Sequence, residues 1–380
     1  MDKNLSGGIY IHVPFCLKKC RYCDFYSIEE KRIDEYLECL KISLKKSSYK
    51  YLKIDTVYFG GGTPSLLPLD SIRDIFEILN KEFNLSDDLE TSFEVNPKTL
   101  NKKYMKGLLS AGINRLNIGI QSFNDNFLNL LGRIHSAEQA REAYYEALDS
   151  GFENIGLDLI YCLPGQSLKN LEDDLKNIIE LSPAHISAYI LSLEPGTALY
   201  KMAEKNLVKI LDEGVQADFF CYLLNFLEEN NYIFYEVSNF AKSADKISRH
   251  NYKYWKGFPY LGFGPSAHSY IYPFRMAEPQ SFDIWADNIK NNVKKDYFAE
   301  KLDSSMEETE FIYLRFRTAE GLNIDEYSKK FKKDFESFYF SKISVFIEKG
   351  YIKKKNRRYF LTKKGFLILD YICLEFIESI

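Results

Sequence analysis

The sequence lacks any apolar run of the ~20 residues that a membrane-spanning helix requires. It lacks an apolar secretory segment too: Met1-Asp2-Lys3-Asn4-Leu5-Ser6 leads straight into a strand-like stretch, and the expectation is a cytoplasmic protein. An excess of charge of one sign is missing. Lys+Arg 50 against Asp+Glu 54 leaves a formal net charge of -4, so the whole chain offers no electrostatic case for nucleic acid or an anionic membrane. Internal repeats and low-complexity tracts are absent. A disulfide framework is also disfavoured: the cysteines number 7, an odd count, and three crowd near the N-terminus. In a reducing compartment such crowding points to metal or redox work. The other four, Cys39, Cys162, Cys221 and Cys373, are scattered and read as small buried hydrophobes.

What is present is a rhythm. Six β-branched or aromatic runs recur at Ile9–Val13, Thr56–Phe59, Ser92–Val95, Arg115–Ile120, Ile155–Ile160 and His185–Leu191. Helical patterns fill the gaps at 33–46, 69–82, 102–110, 124–150 and 168–181. Strand then helix, repeated, predicts βαβ units and a parallel sheet. The fold expected is α/β, a partial (β/α)6 barrel of the TIM type over residues 1–205. An extension over 206–300 includes a possible seventh strand at 233–237 and an irregular stretch at 249–272. Helix–helix–helix–hairpin–helix over 301–380 is the outline of a small winged-helix-like domain.

The strongest chemical signal is Cys16-Leu17-Lys18-Lys19-Cys20-Arg21-Tyr22-Cys23. Four thiolates usually close a [4Fe-4S] site. Three leave one iron open to an exchangeable ligand. Lys18, Lys19 and Arg21 place positive charge nearby, which favours thiolates. The competing reading, a zinc site, would need a fourth ligand such as His12. Gly60-Gly61-Gly62-Thr63-Pro64-Ser65 follows the second strand, where glycines admit close backbone approach. Glu94, Gln121 and Asp158 lie in or at the ends of strands three to five. Functional side chains gather there in α/β barrels, and buried carboxylates are costly unless paired or facing a ligand.

Cys-x3-Cys-x2-Cys just after a first strand resembles the radical S-adenosylmethionine (SAM) superfamily. From Tyr10 to His268 the chain resembles the oxygen-independent coproporphyrinogen III oxidase family within it. The resemblance implies a [4Fe-4S] cluster on Cys16, Cys20 and Cys23, with its fourth iron bound by the SAM amino and carboxylate groups. It implies that Tyr10 and Tyr22 flank cluster and SAM, and that Gly61, Gly62, Thr63, Glu94, Gln121, Arg133 and Asp158 contact SAM. Two departures, Phe25 where the oxidases carry a further cysteine and a cluster motif beginning already at residue 16, resemble the heme-chaperone branch instead. So does His250-Asn251-Tyr252-Lys253-Tyr254-Trp255. A histidine among aromatic rings suits heme, by iron ligation and ring packing. Cys162 stands where relatives usually have glycine.

This branch implies a heme carrier with respiratory heme-acceptor proteins, an electron donor such as flavodoxin or ferredoxin, and peripheral membrane association as partners. Nucleic acid is not expected. Two alternatives share the cluster: a coproporphyrinogen III decarboxylase, and a radical enzyme acting on RNA, raised by the basic hairpin Lys353 to Arg358. Among the remaining histidines, His12 is placed near the site, while His135, His185 and His268 read as structural. Replacing Cys16, Cys20 and Cys23 together by alanine is expected to abolish iron and sulfide uptake on anaerobic reconstitution, measured by iron and acid-labile sulfide analysis.

Overall fold

The structure, a computed structural model, describes residues 6–29 and 32–377. Strands β1 (Gly7–Val13), β2 (Lys53–Gly61), β3 (Asn84–Val95), β4 (Arg115–Gln121), β5 (Ile155–Tyr161) and β6 (His185–Ile190) lie side by side in chain order, every neighbouring pair parallel. Helices α1 (Ile33–Lys46), α2 (Leu69–Glu82), α3 (Lys102–Ser110), α4 (Asp125–Leu131), α5 (Ala137–Asp149) and α6 (Leu168–Leu181) make the crossovers. This is an open, partial (β/α)6 barrel.

Alternation along the strands divides two environments. Ile9, Ile11 and Val13 of β1, Val57 and Phe59 of β2, Leu116, Ile118 and Ile120 of β4, and Leu157 and Leu159 of β5 join the core shared with the helices. The intervening positions, Tyr10 and His12, Tyr58, Asn117, Asp158 and Ser187, face the barrel interior, which is polar and aromatic. Phe59 is fully buried, with its ring centroid 5.9 Å from Phe76 and 5.4 Å from Phe93.

The helical pattern at 124–150 is two helices rather than one. Gly132 at φ 75° ends α4 in the left-handed conformation, and the Ser136–Gln139 capping box starts α5. The loop between them carries Arg133 off any helix surface and toward the strand ends.

Beyond β6 lie α7 (Ala198–Glu204) and α8 (Glu213–Glu229), then β7 (Ile233–Glu236) and β8 (Asn239–Ala241). β8 pairs antiparallel with β6 and β7 pairs antiparallel with β8, so the strand expected at 233–237 is present as β7, in a hairpin at the β6 edge and not hydrogen-bonded to a parallel barrel strand. The stretch expected to be irregular is ordered. It forms helix α9 (Arg249–Lys256), then β9 (Tyr260–Phe263) and β10 (His268–Ile271). Strand β9 pairs parallel with β1 on its outer side and is the seventh parallel strand; β11 (Phe274–Ala277) and β12 (Phe298–Lys301) extend that edge.

From Ser304 the order is helix, short strand, two helices, a hairpin and two closing helices at 363–366 and 369–377, with strands 322–323, 352–355 and 358–361 in one antiparallel sheet. The basic hairpin is partly neutralised at home: Lys354 pairs with Glu336, Arg357 with Asp325 and Arg358 with Glu320. No helix among the described residues is long and apolar enough to cross a membrane. Phe59→Ala is expected to destabilise the fold by ~3–5 kcal/mol through a cavity between strand and helix layers, read by denaturant unfolding.

Candidate functional site

A cavity of about 530 Å³ opens at the carboxyl ends of β2 to β6. The loop after β1 forms one wall. Its backbone is tied at several points: Cys16 N–H donates to the Ile28 carbonyl (3.0 Å), Arg21 N–H to the Leu131 carbonyl (2.9 Å), and Leu199 N–H to the Arg21 carbonyl (2.8 Å). Cys16, Cys20 and Cys23 are free, half-buried and line the cavity together. Among the described residues, no three His, Cys, Asp or Glu side chains converge tightly enough to grip a single metal ion. A cluster with several irons instead reaches thiolates that do not share one metal atom.

The cations around the thiols differ from the expectation. The Arg21 guanidinium turns away and caps α4, donating to the carbonyls of Asn129 (3.1 Å) and Leu130 (3.2 Å). Its place is taken by Arg133, whose Nη1 lies 3.4 Å from Cys20 Sγ and whose Nη2 donates to the Gly119 carbonyl at 2.7 Å. Burial opposes ionisation of two of these thiols, pushing that of Cys16 up and that of Cys23 up to about 11. Bound metal deprotonates such thiols outright.

The glycine turn faces this wall. Gly61 has φ +102°, and a Cβ there would lie 2.5 Å from the His12 ring. A Cβ on Gly62 would lie 2.6 Å from the Phe15 carbonyl oxygen. The turn is therefore pressed onto β1 and its loop, and Gly62 N–H donates to the Val13 carbonyl at 2.8 Å. Thr63 Oγ1 sits 3.6 Å from Cys16 Sγ. Glu94 holds the turn from the other side. It accepts from Gly61 N–H (3.2 Å) and from the Tyr58 hydroxyl (2.7 Å), which itself accepts from Asn117 Nδ2 at 3.2 Å.

Burial pushes the Glu94 carboxyl up to about 7 and that of Asp158 up to about 6, the latter against a Ser187 hydrogen bond. Gln121 is held at φ 67°, where the β4–β5 register shifts. Such strain in a residue other than glycine marks a position that its surroundings over-determine. Cys162 likewise adopts φ 61° just after β5, the conformation in which glycine carries no steric cost.

Tyr22, Gly61, Gly62, Thr63, Glu94, Gln121, Arg133 and Asp158 thus line one cavity with the three cysteines. Tyr10 does not. It lies a layer beneath, with its hydroxyl 3.1 Å from His12 Nδ1 and its ring 6.1 Å from that of Tyr58. His250 does not reach the cavity either. It is 1% exposed, and both ring nitrogens are engaged at 2.9 Å, Nδ1 with Thr56 Oγ1 and Nε2 with the Tyr254 hydroxyl. Neither ring nitrogen is open to a heme iron in this arrangement, which does not provide the contact expected of His250.

His12 also lies beneath the site, its Nε2 2.9 Å from the Tyr26 carbonyl. His135 meets the Ile120 carbonyl and His185 the Tyr235 hydroxyl. Tyr58, Asn117 and Tyr189 line the cavity without having been anticipated. Their signal was available: each sits two residues from an inward-facing site residue or glycine on its strand.

An open parallel barrel with three cysteines in the loop after β1 and a cavity at its strand ends defines a radical SAM protein. The radical SAM superfamily model matches residues 10–178, and the HemN C-terminal domain model matches 307–368. Heme chaperone HemW of Bacillus subtilis is 34% identical over 366 residues, covering 94% of this chain and 96% of the relative. That of Haemophilus influenzae is 34% identical over 384 residues, covering 97% of each. The solved coproporphyrinogen III oxidase HemN of Escherichia coli shares the fold, with a TM-score of 0.85 at 21% identity, covering 100% of this chain and 91% of that one.

The chain belongs to the HemW family. Superfamily membership implies SAM and a [4Fe-4S] cluster, and the cavity fits them. The thiols are uncommitted, while Asn117 Oδ1 and Arg133 Nε are buried without protein partners beside two buried carboxyls. Because the Glu94 carboxyl rises from its ordinary 4.5 to about 7, the folded state binds the extra proton and stability falls as pH rises through that window. Glu94→Gln is expected to flatten the unfolding free energy between pH 4.5 and 7, read by urea titration at several pH values.

Proposed function

We propose that this chain is a heme chaperone: it keeps a SAM-ligated [4Fe-4S] cluster on Cys16, Cys20 and Cys23, binds heme, and passes it to respiratory acceptor proteins. The observation that carries the reading is the meeting of three free thiols and two buried carboxyls in one cavity. The carboxyls of Glu94 and Asp158 and the guanidinium of Arg133 complement the ammonium, hydroxyl and carboxylate groups of SAM. Gln121, Thr63 and the Gly61–Gly62 backbone lie within the same enclosure, and Tyr22 closes it beside Arg133. Tyr10 supports the floor. One-electron reduction of the SAM sulfonium is the chemistry such a cluster supplies when bound, and flavodoxin or ferredoxin is the class of donor it requires.

For heme, the cavity mouth replaces His250. Phe25, 67% exposed, lines the cavity, as do Tyr189 at 42% and Ile190 at 41%. Several large apolar side chains exposed around one cavity suit a contact surface better than any one of them alone. Lys18 and Lys19 lie on the same rim, and their ammonium groups suit the two propionates of heme. The barrel core at 1–205, the extension at 206–300 and the C-terminal domain at 301–380 are assigned as three units, acting in the cytoplasm with peripheral contact to a membrane. The solved decarboxylase shares the fold at 21% identity, and fold alone does not carry an activity.

Titration of anaerobically reconstituted protein with heme is expected to develop a Soret band, with no protoporphyrinogen formed from coproporphyrinogen III. Phe25→Ser is expected to weaken heme uptake roughly five- to tenfold, the loss of one stacked ring. Robust decarboxylation would overturn the chaperone reading, and unchanged heme affinity in the Phe25 variant would remove the mouth from it.

A further inference from the structure

Helix α9 carries the His-Asn-x-x-Tyr-Trp motif and enters the barrel from beneath. Its first turn is fixed by Glu90 of β3, whose carboxylate accepts from the backbone N–H groups of His250 (3.0 Å) and Arg249 (3.2 Å). Gly8 of β1 leaves the room: a Cβ there would lie 3.0 Å from the His250 ring and 2.7 Å from Thr56 Oγ1. The ring thus seated lies face to tilted face with Tyr58, at 5.1 Å and 31°, and 5.4 Å from Tyr254. Tyr58 is the phenol that donates to Glu94, and Glu94 in turn holds the Gly61 amide.

The other face of α9 is bound to the chain beyond residue 304. Arg315 donates to the carbonyls of Trp255 (2.6 Å) and Lys256 (3.1 Å), and Tyr252 donates to Glu320 at 2.9 Å. We propose that His250 is a positioning residue for the SAM enclosure. It braces Tyr58, and through it Glu94 and the glycine turn, and α9 links that floor to the segment around Arg315 and Glu320. This rests on the assignment of SAM to the cavity.

The test uses full-length protein with its cluster reconstituted. It reads the SAM dissociation constant by calorimetry, the change in the reduced cluster's paramagnetic spectrum on adding SAM, and the Soret band on adding heme. His250→Gln retains polar atoms for Thr56 and Tyr254 but presents no ring to Tyr58. It is expected to keep its melting temperature and its Soret band while SAM binding weakens about tenfold, within the range for residues in contact. Tyr58→Phe is expected to weaken SAM to a similar extent, and the double variant to be no weaker than Tyr58→Phe alone. Tyr254→Phe frees His250 Nε2 without removing a ring, and is expected to weaken SAM by a smaller factor. Wild-type SAM affinity in both His250→Gln and Tyr254→Phe, additive losses in the double variant, or loss of the Soret band with SAM binding intact would each overturn the proposal. Glu94→Gln separates the two levels. If it binds SAM like the wild type, the cavity assignment itself fails; if it loses SAM while the His250 and Tyr254 variants do not, only the role of His250 fails.

Discussion

Close approach between the glycine turn after β2 and the end of β1 is the constraint on which the site depends. With any side chain at Gly61 or Gly62, the turn would collide with the His12 ring or the Phe15 carbonyl and withdraw. The Gly61 amide would then leave Glu94, and the Tyr58 phenol would lose its shared acceptor. Thr63 would leave Cys16. Cluster wall, cofactor wall and floor are therefore one steric problem, solved by two residues without Cβ atoms.

The interior below the cavity is unusual for a packed barrel in being polar and aromatic. Arg115 and His185 are fully buried, and each leaves ring or guanidinium nitrogens without a protein partner. Burial holds His12 near 4 and His250 near 3, so both histidines are neutral and serve as hydrogen-bonding wedges between strands. Buried groups of this kind demand partners or ordered water. The floor is consequently specified by directional bonds more than by apolar packing, whereas the helix-facing side of the same strands is mainly apolar.

Much of the architecture was readable from periodicity. Helices 33–46, 69–82, 102–110 and 168–181 fall where the apolar spacing placed them, because each buries one stripe against a strand layer. The helix expected at 124–150 was broken by a left-handed glycine and a capping box, local chemistry that an apolar pattern does not weigh. Strand β9 was missed because four residues flanked by glycine and proline carry too little alternation to register. Of the site, the cysteines, the glycine turn and the polar residues at strand ends were visible because such groups are costly on an apolar background. Tyr58, Asn117 and Tyr189 were missed: an aromatic or amide within a strand looks the same whether it faces core or cavity, and only the two-residue spacing from a glycine or inward-facing neighbour separates the two.

By itself, then, the sequence determined the order of strands and helices, the thiol spacing that leaves a cluster one ligand short, and the carboxyls that had to meet a partner. These are local or periodic properties, set by chain geometry and the cost of burying charge. Only the tertiary structure decided that Arg133 rather than Arg21 attends the thiols. It alone sent His250 into the barrel floor, away from the cavity. Both outcomes depend on which loop or helix packs against which strand end, and contacts between residues more than a hundred positions apart leave no trace in the spacing along the chain.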